Sequence, residues 1–275
     1  MTDLDALTAA TAHLDPPLIA LDLSALRANA ADLVRRAAGT PVRVAAKSVR
    51  CRAVLEIALA TPGFAGVMAY SVREAIWLTR SGIQDILLGY PSVDRGALAE
   101  LAADPALVQA ITLMVDDVQQ LDLIRSVTDA PLRICLDVDS SLRIGRIHLG
   151  VRRSPLRTPD DVVAVAKAAV TQGFRVVGVM FYEAQIAGLP DSSAAVRLVK
   201  KRSAAELSQR RGAVVQAVEV LTGPLQIVNS GGTGSLEVSS ADPCVTEVTA
   251  GSGLYVPTLF DNYRAFEPRP ALFFA

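Results

Sequence analysis

Short apolar runs alternate with amphipathic stretches along almost the whole chain. The apolar runs that we interpret as strands span residues 18–23, 42–47, 66–71, 85–90, 110–115, 132–139, 175–182, 226–229 and 247–250. Helical periodicity covers residues 51–60, 72–81, 118–127, 158–172 and 193–221, and Ser24 is expected to cap one more helix. This alternation predicts a parallel sheet, because each helix returns the chain to the end where the next strand starts.

Eight of the predicted strands, from residue 42 onward, suit a closed barrel. Their Val-, Ile- and Leu-rich sequences are typical of parallel strands that are buried on both faces. Eight such units in roughly 210 residues fit a (β/α)₈ TIM barrel. The main alternative is an open doubly wound sheet, but no dinucleotide-binding glycine fingerprint follows the first strand. We therefore predict the barrel.

Two apolar segments are surplus to the barrel and suggest how the chain divides. They are the strand at residues 18–23 and the tail at residues 271–275. We assign residues 1–40 to a strand and helix that pack on the barrel, residues 41–265 to the barrel, and residues 266–275 to the start of a second domain. The tail stops on an apolar run, so the rest of that second domain is expected to be absent or truncated.

Composition narrows the class of protein. The chain has 275 residues, 51% of them hydrophobic, and a net charge of −1, which argues against a nucleic-acid or anionic membrane partner. No apolar run of about 18 residues predicts a membrane span, and the acidic N-terminus does not resemble a signal peptide. The three cysteines lack the spacing of a zinc site or a disulfide framework. We expect a soluble cytoplasmic protein without a metal site.

Lys47 is the first candidate for chemistry. Only four of the 27 basic residues are lysines, and the other three lie in predicted helices of the outer ring. Lys47 ends the first barrel strand, where active sites of such barrels lie. Two interpretations remain: a structural lysine whose amine reaches water, or an amine that forms a Schiff base with pyridoxal phosphate (PLP).

Two glycine-rich loops follow the last two strands, where barrels of this type usually bind phosphate. Glycines let backbone N–H groups converge on an anion, although each loop alone could be an ordinary turn. The candidate cofactor contacts in these loops are Ser230, Gly231, Gly232, Thr233, Gly251, Ser252, Gly253 and Tyr255.

Three further candidates follow the fifth and sixth strands. Arg143 lies where its guanidinium could reach a phenolate or carboxylate, or could instead pair with Asp139 at the barrel rim. Tyr182 could contact a planar cofactor or simply cap the barrel. Glu183 could act as an acid or base, or be an ordinary loop carboxylate.

Together these motifs resemble the alanine-racemase-type (fold type III) PLP barrel, in its D-threonine aldolase and D-serine dehydratase branch. The resemblance covers residues 17–29, 43–47, 137–145, 181–185, 230–235 and 251–255. It implies a Schiff base on Lys47, an Arg143 bond to the PLP hydroxyl, phosphate-binding glycine loops, and catalytic roles for Lys47, Arg143 and Tyr182. It also implies a small amino acid substrate and a homodimer.

The resemblance implies a PLP-dependent lyase acting on D-amino acids. An amino acid racemase and a non-catalytic PLP-homeostasis protein remain alternatives. Ala45, Ala184 and Gln185 depart from the branch, whose lysine strand and Tyr-Glu-Gly-His segment carry His, Gly and His there. In this branch a C-terminal β domain supplies a divalent metal site (Zn or Mn), so a metal is expected only with that domain. Residues 1–275 alone are therefore expected to bind PLP but to turn over D-threonine or D-serine poorly.

Overall fold

The computed structural model describes residues 4–263 and 269–274. Its strands are β1 (Ile19–Leu21), β2 (Val42–Ala45), β3 (Phe64–Ala69), β4 (Ile86–Leu88), β5 (Ile111–Val115), β6 (Arg133–Val138), β7 (Leu142–Ile144), β8 (Ile147–Leu149), β9 (Arg175–Phe181), β10 (Ile227–Ser230), β11 (Glu247–Ala250) and β12 (Leu272–Phe274). Its helices are α1 (Leu4–Thr11), α2 (Leu23–Arg36), α3 (Ala46–Val49), α4 (Arg52–Leu59), α5 (Val72–Arg80), α6 (Arg95–Ala103), α7 (Pro105–Ala110), α8 (Val118–Arg125), α9 (Pro159–Thr171), α10 (Ala184–Ala187), α11 (Ala194–Thr222) and α12 (Leu236–Ser240).

Eight parallel strands close into a barrel in the order β10-β11-β2-β3-β4-β5-β6-β9, with β9 pairing back to β10. The predicted barrel is therefore confirmed, and each of its eight predicted strands is present. The strands β2, β4, β5, β10 and β11 are buried along their whole length, as parallel strands covered on both faces require.

Several of the helices that cover the barrel begin at side-chain caps and bury one face. Ser71 accepts the backbone N–H of Glu74 to start α5, which buries Val72 and Ile76 against the sheet. Thr158 and Asp161 form a reciprocal capping box at the start of α9. None of the helices in the described residues combines the length and the apolar character that a membrane span requires.

The structure corrects three local predictions. The first barrel strand ends at Ala45, and Lys47 lies in the short helix α3 that turns across the barrel mouth. The cap of α2 is Asp22, not Ser24, because the Asp22 carboxylate accepts the Ser24 and Ala25 N–H groups. The segment after β6, predicted as a loop, contains the antiparallel hairpin β7–β8. The helices α6 and α7 were not predicted.

The two surplus segments pair with each other. Strand β1 runs antiparallel to β12, with Ile19 opposite Phe274 and Leu21 opposite Leu272. Ile19 and Phe274 are 65% and 76% exposed, whereas Leu21 packs against the barrel core, so this two-stranded sheet lies at the edge of the core. The predicted boundary at residue 265 lies outside the described residues, and so does Ala275.

A buried ion pair joins the first and last barrel strands. Arg43 of β2 is 1% exposed, and it donates from Nε and Nη2 to the two carboxylate oxygens of Glu247 on β11, at 2.7 and 2.6 Å. Its guanidinium also donates to the Asp85 carboxylate and carbonyl, next to β4. Arg43 therefore ties β2 to β11 at the seam where the barrel closes.

We expect Arg43→Met to lower the free energy of unfolding by about 3–5 kcal/mol, because Glu247 stays buried without its cation while most of the side-chain volume is kept. The control is Arg52→Met, which breaks the exposed pair of Arg52 and Glu56, about half exposed on each side. That change should cost less than about 1 kcal/mol. Urea unfolding followed by circular dichroism measures both, and equal costs would contradict this role of Arg43.

Candidate active site

The main cavity lies at the carboxyl ends of the barrel strands and encloses about 820 Å³, including the space open to solvent. The ends of β2, β4, β9, β10 and β11 reach it, because barrel closure brings those ends together. The residues that line it are Ala45, Lys47, Ser48, Met68, Ala69, Gly89, Tyr90, Arg153, Met180, Tyr182, Ala187, Gly188, Asn229, Gly231, Gly232, Thr233, Thr249, Ala250, Gly251, Ser252, Leu259 and Phe260.

Lys47 projects into this cavity and meets a tyrosine that the sequence analysis did not name. Its Nζ donates to the Tyr90 hydroxyl at 2.8 Å and lies 5.2 Å from the ring centroid. Burial of the Tyr90 phenol opposes its ionisation, but the hydrogen bond and charge of Lys47, together with the charge of Arg153, lower the pKa of Tyr90 below its ordinary value. The phenol is thus suited to share a proton with the lysine amine.

The two glycine loops line the same cavity as Lys47. Gly231, Gly232, Thr233, Gly251 and Ser252 all line it. Gly231 has a φ of +99°, which favours glycine, and a Cβ on Gly251 would lie 2.7 Å from the Ala45 carbonyl oxygen. The backbone N–H groups of Thr233 and Ser252 donate to no other atom of the described residues. Both remain free for an anion.

Three other predicted loop contacts do not line the cavity. Ser230 is fully buried behind the loop, where its hydroxyl donates to Glu183. The Gly253 N–H donates to the Thr233 hydroxyl at 3.0 Å, so it supports that side chain. The Tyr255 hydroxyl donates to the Val49 carbonyl at 2.9 Å and braces the helix that carries Lys47. These residues hold the lining residues in place.

The structure corrects the prediction that Arg143 contacts the cofactor, because it places this residue outside the cavity. Its side chain is 47% exposed on the β7–β8 hairpin, and its guanidinium pairs with Asp139 at 2.8 Å. The alternative interpretation, an ion pair at the barrel rim, describes it better. Arg153, from the segment after the hairpin, lines the cavity instead.

Arg153 is held between two aromatic rings and a buried carboxylate. Its guanidinium lies 4.6 Å from the Tyr90 ring centroid and 5.8 Å from that of Tyr182. Its Nε donates to Asp137 at 2.6 Å, and it also donates to the Gly89 carbonyl. Burial raises the pKa of Asp137 to about 6, although the charge of Arg153 opposes that rise.

The segment after β9 divides its side chains between the cavity and the protein interior. Tyr182 lines the cavity as predicted, and burial, reinforced by the charge of Glu183, raises the pKa of its phenol. Glu183 is 1% exposed and points away from the cavity. Gln185 is also buried and donates to the Ser140 carbonyl at 2.6 Å. An acid–base role for Glu183 at the cavity is therefore not supported.

The lining suits a phosphorylated aldehyde. Among the described residues it contains the cations Lys47 and Arg153 and no carboxylate. The hydroxyls of Thr233 and Ser252, which share a hydrogen bond of 3.2 Å, and the free N–H groups of the same two residues add donors to this lining. Such donors match a phosphate, and the amine matches an aldehyde. Among the described residues no group of three or more His, Cys, Asp or Glu side chains is arranged to hold a metal ion. The residues present fit PLP.

Sequence reasoning missed Tyr90 and Arg153 for different reasons. Tyr90 is the last residue of the predicted strand 85–90, so it would have been a candidate if the last residue of every predicted strand had been considered. Arg153 is one of several arginines in a segment predicted as a loop. Only the hairpin geometry separates it from Arg143.

Comparisons with known proteins agree with the barrel fold. The family model for the alanine racemase N-terminal domain matches residues 21–258. A 3-hydroxy-D-aspartate aldolase of Paracoccus denitrificans is 27% identical over 244 residues, which cover 87% of this chain and 60% of the relative. A D-threonine aldolase of Arthrobacter sp. is 27% identical over 271 residues, 93% of this chain and 66% of the relative.

The fold is also that of a solved structure. The D-threonine aldolase from Filomicrobium marinum superposes with a TM-score of 0.78 at 23% identity, over 94% of this chain and 68% of that chain. The chain spans less than two thirds of the length of both curated relatives.

The raised pKa of Asp137 predicts a specific pH dependence of stability. The native state keeps the carboxyl proton up to pH about 6, whereas the unfolded chain loses it near its ordinary value, so this residue's contribution to stability falls as the pH rises through that window. Asp137→Asn removes the titrating carboxyl, so the variant does not lose stability in this way as the pH rises. The unfolding free energy of Asp137→Asn minus that of the wild type should grow by on the order of 3 kcal/mol between pH 4 and 7. Urea unfolding at several pH values tests this, and a constant or shrinking difference would rule it out.

Proposed function

We propose, on the premise that this chain belongs to the alanine racemase N-terminal domain family, that its barrel binds PLP covalently through Lys47. Proteins of this family depend on PLP. The observation that carries the proposal is the placement of the Lys47 amine and two glycine loops around one cavity that no carboxylate of the described part of the chain lines. A structural lysine needs no such partners.

Each lining group has a task that follows from its chemistry. Lys47 supplies the amine for the cofactor aldehyde, and the N–H groups and hydroxyls of Thr233 and Ser252 supply donors for the phosphate. When bound, the PLP ring accepts electrons from the bonds at the substrate Cα. Tyr90, in its ionised form, can take a proton from Lys47 Nζ and return it, because the two atoms share a hydrogen bond. Arg153 adds a fixed positive charge for a carboxylate or phenolate.

We expect borohydride reduction after incubation with PLP to fix the cofactor to Lys47 alone, because the other lysines lie on the outer helices α9 and α11. Peptide mass spectrometry locates the modified residue. Lys47→Ala should abolish the visible absorbance of bound PLP, and Lys167→Ala serves as the matched control with unchanged absorbance. Modification spread evenly over the four lysines, or no absorbance in the wild type, would refute the proposal.

The reaction that we propose is lyase chemistry on a D-3-hydroxy amino acid, by aldol cleavage or by dehydration. The support is the similarity to a 3-hydroxy-D-aspartate aldolase and a D-threonine aldolase. A racemase and a non-catalytic PLP carrier are the alternatives. The expected homodimer and cytoplasmic location stay predictions.

A substrate panel distinguishes these reactions. We expect the protein, loaded with PLP and given Mn²⁺, to release aldehyde or ammonia slowly from D-threonine or 3-hydroxy-D-aspartate and not from L-threonine. Lys47→Ala should release none. Interconversion of D- and L-alanine would instead indicate a racemase, and PLP binding without any turnover would indicate a carrier, so either result contradicts the lyase.

A further inference from the structure

Behind the glycine loop that follows β10 lies a buried carboxylate that the cavity does not use. Glu183 is 1% exposed, and no part of it lines the main cavity. It follows β9 directly, in the segment that also supplies Tyr182 to the cavity. A buried carboxylate is costly unless donors surround it, so its partners reveal what it does.

All of those partners belong to the segment 230–239. The Ser230 hydroxyl and the Gly231 N–H donate to Glu183 Oε2, at 2.8 and 3.2 Å. The Ser235 hydroxyl donates to Oε1 at 2.9 Å, and the Ser239 hydroxyl donates to the same oxygen. One side chain thus holds the start and the end of the loop and the first helix after it.

A second partner of Ser230 fixes the direction of its hydrogen bond with Glu183. Arg211 of α11 is buried, pairs with Asp242, and donates from Nη2 to the Ser230 oxygen at 2.8 Å. Because that oxygen accepts from Arg211, the Ser230 proton is directed to Glu183. The carboxylate therefore acts only as an acceptor here, which its ionised form does best.

The same contacts decide which loop amides are left for a ligand. Glu183 occupies the Gly231 N–H, and the Ser235 hydroxyl, itself held by Glu183, accepts the Gly232 N–H at 3.1 Å. The Thr233 N–H is left without an acceptor among the described residues, at a point that lines the cavity. Ala187, four residues after Glu183, packs so closely that a Cβ on Gly232 would lie 2.7 Å from its methyl group.

We propose that Glu183 is a positioning residue that sets the conformation of the loop 230–235 from the side opposite the cavity, and so builds its phosphate-binding face. This inference rests on the proposed function, in which that loop receives the PLP phosphate. Glu183 touches neither the cofactor nor the substrate; it acts through the serine hydroxyls and the Gly231 amide.

The test compares PLP with pyridoxal, which carries the same aldehyde but no phosphate. Both ligands are titrated into wild type, Glu183→Gln and Glu183→Ala, and visible absorbance reports the lysine-bound form. We expect Glu183→Ala to weaken PLP binding roughly ten- to hundredfold, as loss of hydrogen bonds to a charged group implies, and to leave pyridoxal binding unchanged. Glu183→Gln, which keeps the shape and one acceptor oxygen, should show a smaller loss.

Two further measurements separate positioning from general destabilisation. Hydrogen exchange of the amides in residues 230–240 should speed up in Glu183→Ala and not in Leu101→Ala, which removes a fully buried side chain of α6. Leu101→Ala should also keep the wild-type preference for PLP over pyridoxal. Ser239→Ala, which removes one donor and keeps the carboxylate, should show a partial loss of that preference.

The outcomes are distinguishable. An unchanged preference for PLP in folded Glu183→Ala, or in both Glu183→Gln and Ser239→Ala if the alanine variant does not fold, overturns the positioning role and leaves the proposed function standing. Equal weakening of PLP and pyridoxal also overturns it, because the effect would then not pass through the phosphate loop. A wild type that binds PLP and pyridoxal equally well contradicts the proposed function itself.

Discussion

The ion pair between Arg43 and Glu247 is the interaction on which the rest of the structure depends. It joins β2 and β11, the first and last strands of the barrel, and both charges are buried. Two buried charges are stable only as partners with good geometry, so the pair favours the meeting of β2 and β11 at the seam. Because the two strands meet there, the segments that follow them lie side by side at the barrel mouth.

The cavity follows from that seam. Lys47 comes two residues after β2, and the loop of Gly251 and Ser252 comes directly after β11, so the amine and one loop are neighbours. The absence of a side chain at Gly251 lets this loop contact the Ala45 backbone. Between the ion pair and the cavity, Asn229 donates to Glu247 and to the Thr249 hydroxyl, so polar contacts continue along the barrel interior. The charges in the interior are neutralised, and Arg153 at the mouth is paired with Asp137, whereas Lys47 faces a cavity that no carboxylate of the described residues lines.

The parts that sequence predicted well are those set by local periodicity and by barrel topology. Eight buried strands are visible as apolar runs, and barrel closure brings their ends together whatever the conformation of the loops. Lys47, Tyr182 and most of the two glycine loops were therefore placed together.

Arg143 was misplaced because a hairpin, β7–β8, lies where a loop was predicted. The Arg143 guanidinium pairs with Asp139, four residues earlier in the chain. Glu183 was considered for acid–base chemistry because it comes just after a strand, where successive side chains point alternately into the interior and into the barrel mouth. The sequence does not show which of the two directions Glu183 takes. Neighbours distant in sequence, Ser230, Ser235 and Ser239, decide that direction.

The most direct test of the account is a crystal structure of the protein grown with PLP. The account predicts continuous electron density from Lys47 Nζ to the cofactor, with the phosphate against residues 231–233 and 251–252. Arg153 should lie beside the ring, and Arg143 should remain paired with Asp139. A free Lys47 amine would contradict it. So would a phosphate bound elsewhere, for instance in the basic cleft of Arg143, Arg146 and Arg152 beside the hairpin.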